Sequence, residues 1–143
     1  MSHVRAGHWS FLVVPLLVGP LCACGMSTAK PHAEAAVAEF HKQMNAGDYH
    51  AIWNGADDAF KSSASREQYD QLMAAIARKL GHVVSTSNEG WQVKSHNLKT
   101  LTVLSQSTRF ERGSGAETFT FVEAGGKARL LGYNINSMDL MTQ

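Results

Sequence analysis

Residues 65–84 read SREQYDQLMAAIARKLGHVV, and the fold turns on this stretch. Ser65 and Gln68 have the spacing of a capping box, in which each side chain satisfies the other's free backbone N–H at a helix start. Tyr69, Leu72, Met73, Ile76 and Leu80 then recur on one helical face. Gly81 supplies the left-handed residue that ends a helix. From Val83 onward the apolar period falls from 3.6 to two, the spacing of strands. Helix therefore gives way to sheet at Gly81.

Upstream the chain reads as helical. Pro31 suits a first turn, and Ala33, Ala36, Val37, Phe40 and Met44 form one apolar face. This predicts a first helix over about 31–46, stopped by Gly47. Asp48 reads as the N-cap of a short second helix with Tyr49, Ile52 and Trp53 on its buried side. Residues 56–60 read as a further helical turn, and 61–64 as a polar loop.

Downstream the chain reads as strands and hairpins. Val83-Val84 opens the first strand, and Asn88-Glu89-Gly90 reads as a turn. Trp91 and Val93 alternate in a separate strand or a continuation of the first. Residues 99–112 form a long strand whose apolar residues change phase between Val103 and Leu104, which predicts a bulge. Gly113-Ser114-Gly115 reads as a turn. Phe119 and Phe121 share a face of the next strand, and Gly125-Gly126 closes a hairpin. Leu131, Tyr133 and Ile135 share a face of the last strand. The expected architecture is α+β: N-terminal helices packed on a curved antiparallel four-stranded sheet.

The N-terminus carries a different signal. Arg5 and the apolar run from Trp9 to Leu21 have the layout of an export signal, too short and too Pro-interrupted for a membrane span. Leu21, Ala23 and Cys24 resemble a bacterial lipobox, with Cys22 unusual at its second position. The resemblance implies a signal peptide over 1–23, a lipid on Cys24 and a tether over 24–30. With no Asp after Cys24, it favours the outer membrane. The expected domain spans 31–137, followed by a frayed tail over 138–143.

Without residues 1–23, which hold one basic and no acidic residue, 12 basic and 12 acidic side chains remain, for a formal charge of zero. No basic surface for nucleic acid is implied. Both cysteines, Cys22 and Cys24, lie at the cleavage region, so the domain relies on apolar packing without disulfides.

Phe40, Gly47-Asp48-Tyr49, Trp53, Leu80-Gly81 and Leu131-Gly132-Tyr133 together resemble the nuclear-transport-factor-2-like (cystatin-like cone) superfamily. More narrowly, they resemble bacterial envelope proteins of domain of unknown function 4019. The resemblance covers about residues 31–137. It implies a cone open to a ligand, and homodimers through the outer sheet face. Superfamily members include isomerases, dehydratases, transport factors and binding domains.

The chemistry-bearing residues do not assemble into a motif. Tyr49, Tyr69, Tyr133, Asp48, Asp70, His82 and His96 are the acid–base candidates, yet Asp48 reads as a cap and the tyrosines as core. His32, His41 and His50 recur every nine residues and share no helical face, so they read as surface residues. Asp57-Asp58 would diverge. Ser62, Ser63 and Ser65 lack a nucleophile motif. No metal or cofactor motif occurs, and no catalytic residue is assigned. The expectation is a non-catalytic, lipid-anchored periplasmic binding protein, such as an antagonist or immunity factor against an antibacterial toxin. The alternative is a small apolar ligand, or isomerase-like chemistry, in a cone lined by Phe40, Trp53, Tyr69, Phe119 and Tyr133. Trp91, Arg109 and Arg112 are the candidate surface for a protein partner.

Overall fold

The computed structural model describes residues 24–142, with side chains from Thr28 onward. The expected signal peptide over 1–23 lies outside the described residues. Helix α1 (Cys24–Asn45) is followed by α2 (Tyr49–Gly55), α3 (Asp58–Ser63) and α4 (Arg66–Lys79). Strands β1 (Val83–His96), β2 (Lys99–Phe110), β3 (Gly113–Ala124) and β4 (Lys127–Asn136) form one antiparallel sheet in chain order, and α5 (Met138–Thr142) ends the chain.

Local signals place most helix boundaries. The Asp48 carboxylate accepts the Ala51 N–H, and Asp57 accepts the Ala59 N–H at the start of α3. Ser65 and Gln68 form the reciprocal capping box. Gly47 and Gly81 end α1 and α4 at φ of 71° and 78°. At Gly81 the positive φ calls for glycine, and a side chain there would also have to displace the Glu111 carboxylate.

Several boundaries differ from expectation. α1 begins at Cys24, so residues 24–30 are helix rather than tether. Ala29 and Ala33, four residues apart, are both fully buried on the sheet-facing side, while Pro31 is exposed. The loop expected over 61–64 is helical to Ser63. Asn88-Glu89-Gly90 is no turn: β1 is one strand, with an extra residue at Glu89 and another at Val84. β2 has no bulge against β3; Leu101 and Val103 face outward, half-buried, while Leu104 and Phe110 face the helices. The third bulge lies in β4, at Leu131. The β2–β3 turn is Glu111-Arg112 rather than 113–115, because their N–H groups donate to His82 O and Leu80 O. The tail forms α5, started by the Ser137 hydroxyl accepting the Leu140 N–H and held by Lys79 donating to Leu140 O.

The core lies between the helices and one sheet face. Val37, Phe40 and Met44 of α1, with Tyr69, Met73 and Ile76 of α4, cover Leu104, Phe110, Phe119, Phe121 and Leu130. The two sheet edges differ. β4 is covered by the α2–α3 link, where Asp57 N–H donates to Leu130 O and Arg129 donates to Ala56 O. Among the described residues, β1 has no strand on its outer side.

Two residues lower stability where the geometry shows why. The buried Thr102 hydroxyl has no hydrogen-bond partner, so Thr102→Val should stabilise the fold by about 1 kcal/mol in denaturant unfolding. Asn97 and Leu98 both take positive φ at the β1–β2 turn, 48° and 62°. A type I′ hairpin prefers Asn-Gly there, so Leu98→Gly should raise the melting temperature, equivalent to about 1 kcal/mol.

Candidate functional site

The site begins from a charged residue in an apolar strand. Glu117 lies two residues before Phe119, so the pleat turns both toward the helices, and Glu117 is 0% exposed. A carboxyl group there is stable only when donors replace its lost water. Three do. His41 Nε2 lies 2.8 Å from Oε2, the Thr108 hydroxyl donates to the same oxygen at 2.5 Å, and the Tyr133 hydroxyl donates to Oε1 at 2.7 Å. The donors come from α1, β2 and β4. The set continues into β1, where Thr86 donates to Gln106 Oε1 at 3.0 Å and lies 3.4 Å from the Thr108 hydroxyl. Thr86 is the member exposed to solvent.

His41 is therefore a correction: it is buried, with its ring edge-on to Phe40 and Phe119. It lies four residues after Val37 and three before Met44, on the apolar face of α1. His32 is nearer the surface and pairs with Glu123 at 3.2 Å, and His50 contacts Asn54.

The five candidate lining residues separate into two packed groups. Phe40, Phe119 and Tyr133 touch one another with ring centroids 4.8–5.2 Å apart. Trp53 and Tyr69 pack with Phe60, and the Arg66 guanidinium lies over Trp53. An open groove of about 400 Å³ runs where these groups approach, lined by Phe60, Tyr69, Leu72 and Tyr133 among others.

The three candidate partner residues occupy three places. Trp91 projects from the helix-facing side of β1, 53% exposed, with the Lys30 ammonium 5.7 Å from its ring centre. Arg109 lies on the opposite sheet face and donates to Ser85. Arg112 caps α4, donating to the carbonyls of Ala77, Arg78 and Lys79. The other acid–base candidates are also engaged: Asp48 in its cap, Asp70 with Arg66 at 2.9 Å, and His82 with Glu111. The His82 backbone N–H donates to Glu111 and holds that carboxyl below its usual range.

Proton chemistry needs a reacting atom within hydrogen-bond reach of the acid or base. Glu117 is sealed from solvent, and both its oxygens already accept protein donors. The arrangement joins four elements through one carboxyl group. Among the described residues, no three His, Cys, Asp or Glu side chains could hold a metal ion, and no helix is long and apolar enough to cross a membrane. The Cys24 side chain is outside the described atoms.

Burial, reinforced by the Glu117 charge, pushes the Tyr133 phenol well above its ordinary value of 10.0. Burial raises Tyr69 in the same way. The unfolded chain releases these protons first. This stabilisation is therefore complete below pH 10.0 and is lost as pH rises toward the folded values. Spectrophotometric titration should show less tyrosinate in the native chain than in the denatured chain at the same alkaline pH. Tyr133→Phe should narrow that gap and lower stability by about 1–3 kcal/mol, because Oε1 of Glu117 loses its donor.

Residues 36–133 match the model of one family, described as Protein of unknown function (DUF4019). No curated protein and no solved structure matches the chain.

Proposed function

The chain belongs to the DUF4019 family, and we propose that it is a non-catalytic, lipid-anchored binding protein of the bacterial envelope. In this reading Cys24 carries the lipid, the outer membrane holds the anchor, and the domain faces the periplasm. In the same reading the domain is a member of the nuclear-transport-factor-2-like superfamily, a relation supported by helices preceding and covering one four-stranded antiparallel sheet.

The observation that carries the binding role is the open edge of β1. From Gly90 to His96 this strand pairs with β2 without interruption, and among the described residues its other edge has no strand against it. Such an edge can take an extended segment of another protein by strand addition, in which backbone bonds supply affinity and side-chain contacts supply choice. Trp91 gives that edge an exposed aromatic anchor of the type that dominates interfaces. The partner is a protein that reaches the periplasm. An incoming antibacterial toxin fits by analogy with other small envelope lipoproteins.

The groove beside Tyr69 and Tyr133 favours a second reading, capture of a small, mostly apolar ligand, since its volume is in the range of such sites. Isomerase or dehydratase chemistry at Glu117 would need a substrate beside a carboxyl group that is sealed in this conformation.

A photo-crosslinking amino acid in place of the exposed Gln92 tests the main reading in envelope extracts. The expected result is one stoichiometric partner crosslinked at Gln92. Trp91→Ala should weaken it by roughly 30-fold, the equivalent of about 2 kcal/mol. No crosslinked protein would sink the protein-partner reading. Binding of an apolar dye that is lost on Leu72→Arg would then support the groove.

A further inference from the structure

We infer that the β1–β2 tip docks on an anionic phospholipid surface, with Leu98 entering the interface and Lys94, Lys99 and Lys127 contacting the headgroups. The inference rests on the lipid-anchored reading above and adds an orientation to it.

Leu98 is fully exposed, at 105%, and packs against nothing in the core. It also takes positive φ, where glycine or asparagine would be less strained. An apolar side chain held clear of the protein at a strained tip suits insertion into an apolar phase.

Charge supports the same occupant. Lys99 follows Leu98 directly, Lys94 lies opposite Leu101 in the ladder, and Lys127 sits at the β3–β4 turn. Antiparallel pairing brings both turns to one end of the sheet. None of the three lysines pairs with a carboxylate among the described residues. Glu123, at the same end, is engaged by His32. The end is therefore cationic and complements anionic headgroups, with long side chains able to reach them.

The direction of α1 supplies the third observation. Asn45, at its C-terminal end, bonds both backbone groups of Val83 at the far end of β1. His32, near its N-terminal end, bonds Glu123. α1 thus begins at the end of the sheet that carries the lysines and Leu98, and Cys24 is its first residue. A lipid on Cys24 would bring that same end to the bilayer. A lipid chain and a basic patch reinforce each other in membrane binding.

The full chain, produced with its own signal and purified from membranes, tests this after reconstitution with vesicles carrying brominated acyl chains. Leu98→Trp places a fluorophore at the tip. Trp91 lies about five strand residues back, on the order of 17 Å. On phosphatidylethanolamine–phosphatidylglycerol vesicles the Leu98→Trp chain should lose a larger share of its emission than the parent chain, whose domain carries Trp53 and Trp91. The combined Lys94→Glu, Lys99→Glu and Lys127→Glu changes, or high salt, should abolish the difference. Hydrogen exchange over residues 94–99 of the unsubstituted chain provides a readout without any variant, and should slow on the same vesicles. Flotation with neither quenching nor slowed exchange would overturn the docking. Equal quenching on phosphatidylcholine would overturn the anionic surface as its occupant. Failure to float would instead overturn the anchoring on which the inference rests.

Discussion

The buried carboxyl group of Glu117 constrains the whole domain. Taking it out of water would be expensive unless donors met both oxygens, and those donors come from α1, β2 and β4. Glu117 itself is on β3, and Thr86 extends the set to β1. One group thus fixes the register of the sheet and the seat of the long helix. Slipping β3 by one residue would turn Glu117 outward and leave His41, Thr108 and Tyr133 without their acceptor. Apolar packing tolerates small shifts, whereas this hydrogen-bond set does not. Phe40, next to His41, packs on Phe119 and Tyr133, so the polar and apolar contacts specify the same placement of α1.

The same placement explains why the two edges differ. The helices cover the inner face, and the α2–α3 link closes the side of β4 through the bonds to Leu130 and from Arg129. Among the described residues no equivalent element reaches the side of β1, although α1 touches its start through Asn45. The bulges at Val84 and Glu89 interrupt the first part of that edge and blunt it against unwanted pairing. From Gly90 onward the strand is regular, and there Trp91 is exposed. On the proposed reading, the half that is regular and open is the half that takes the partner.

Local chemistry made most of the helical half legible in the sequence. Asp48, Ser65, Gln68, Gly47 and Gly81 act on backbone groups within four residues, so spacing alone places them. The sheet was less legible because its irregularities depend on the neighbouring strand. Asn88-Glu89-Gly90 has turn composition, yet pairing with β2 turns it into a bulge. The phase change in β2 needs no bulge, because Leu101 and Val103 are half-buried on the outer face while Leu104 faces the core. Glu117 and His41 were in phase with known core positions, Glu117 with Phe119 and His41 with Val37 and Met44. The pattern was present, but residue type outweighed position: a charged or titratable side chain reads as exposed until its partner is known. Those partners lie 9 to 76 residues away in the chain, beyond any local window.

The start of α1 joins the fold to the proposed use. A flexible tether over residues 24–30 would let the domain tumble on its anchor and lay its open edge against the bilayer. The observed helix begins at Cys24 and runs unbroken past His41, a rise of about 25 Å between those residues. Ala29 and Ala33 pack its first turns into the domain, and the Glu117 contact fixes it further along. On the anchored reading, the lipid is attached to a rigid part of the fold. The sheet end with Leu98 then rests at the membrane, and the part of β1 around Trp91 stands away from it at a set height. Strand addition beside Trp91 needs that clearance, because a partner must lie along the edge there.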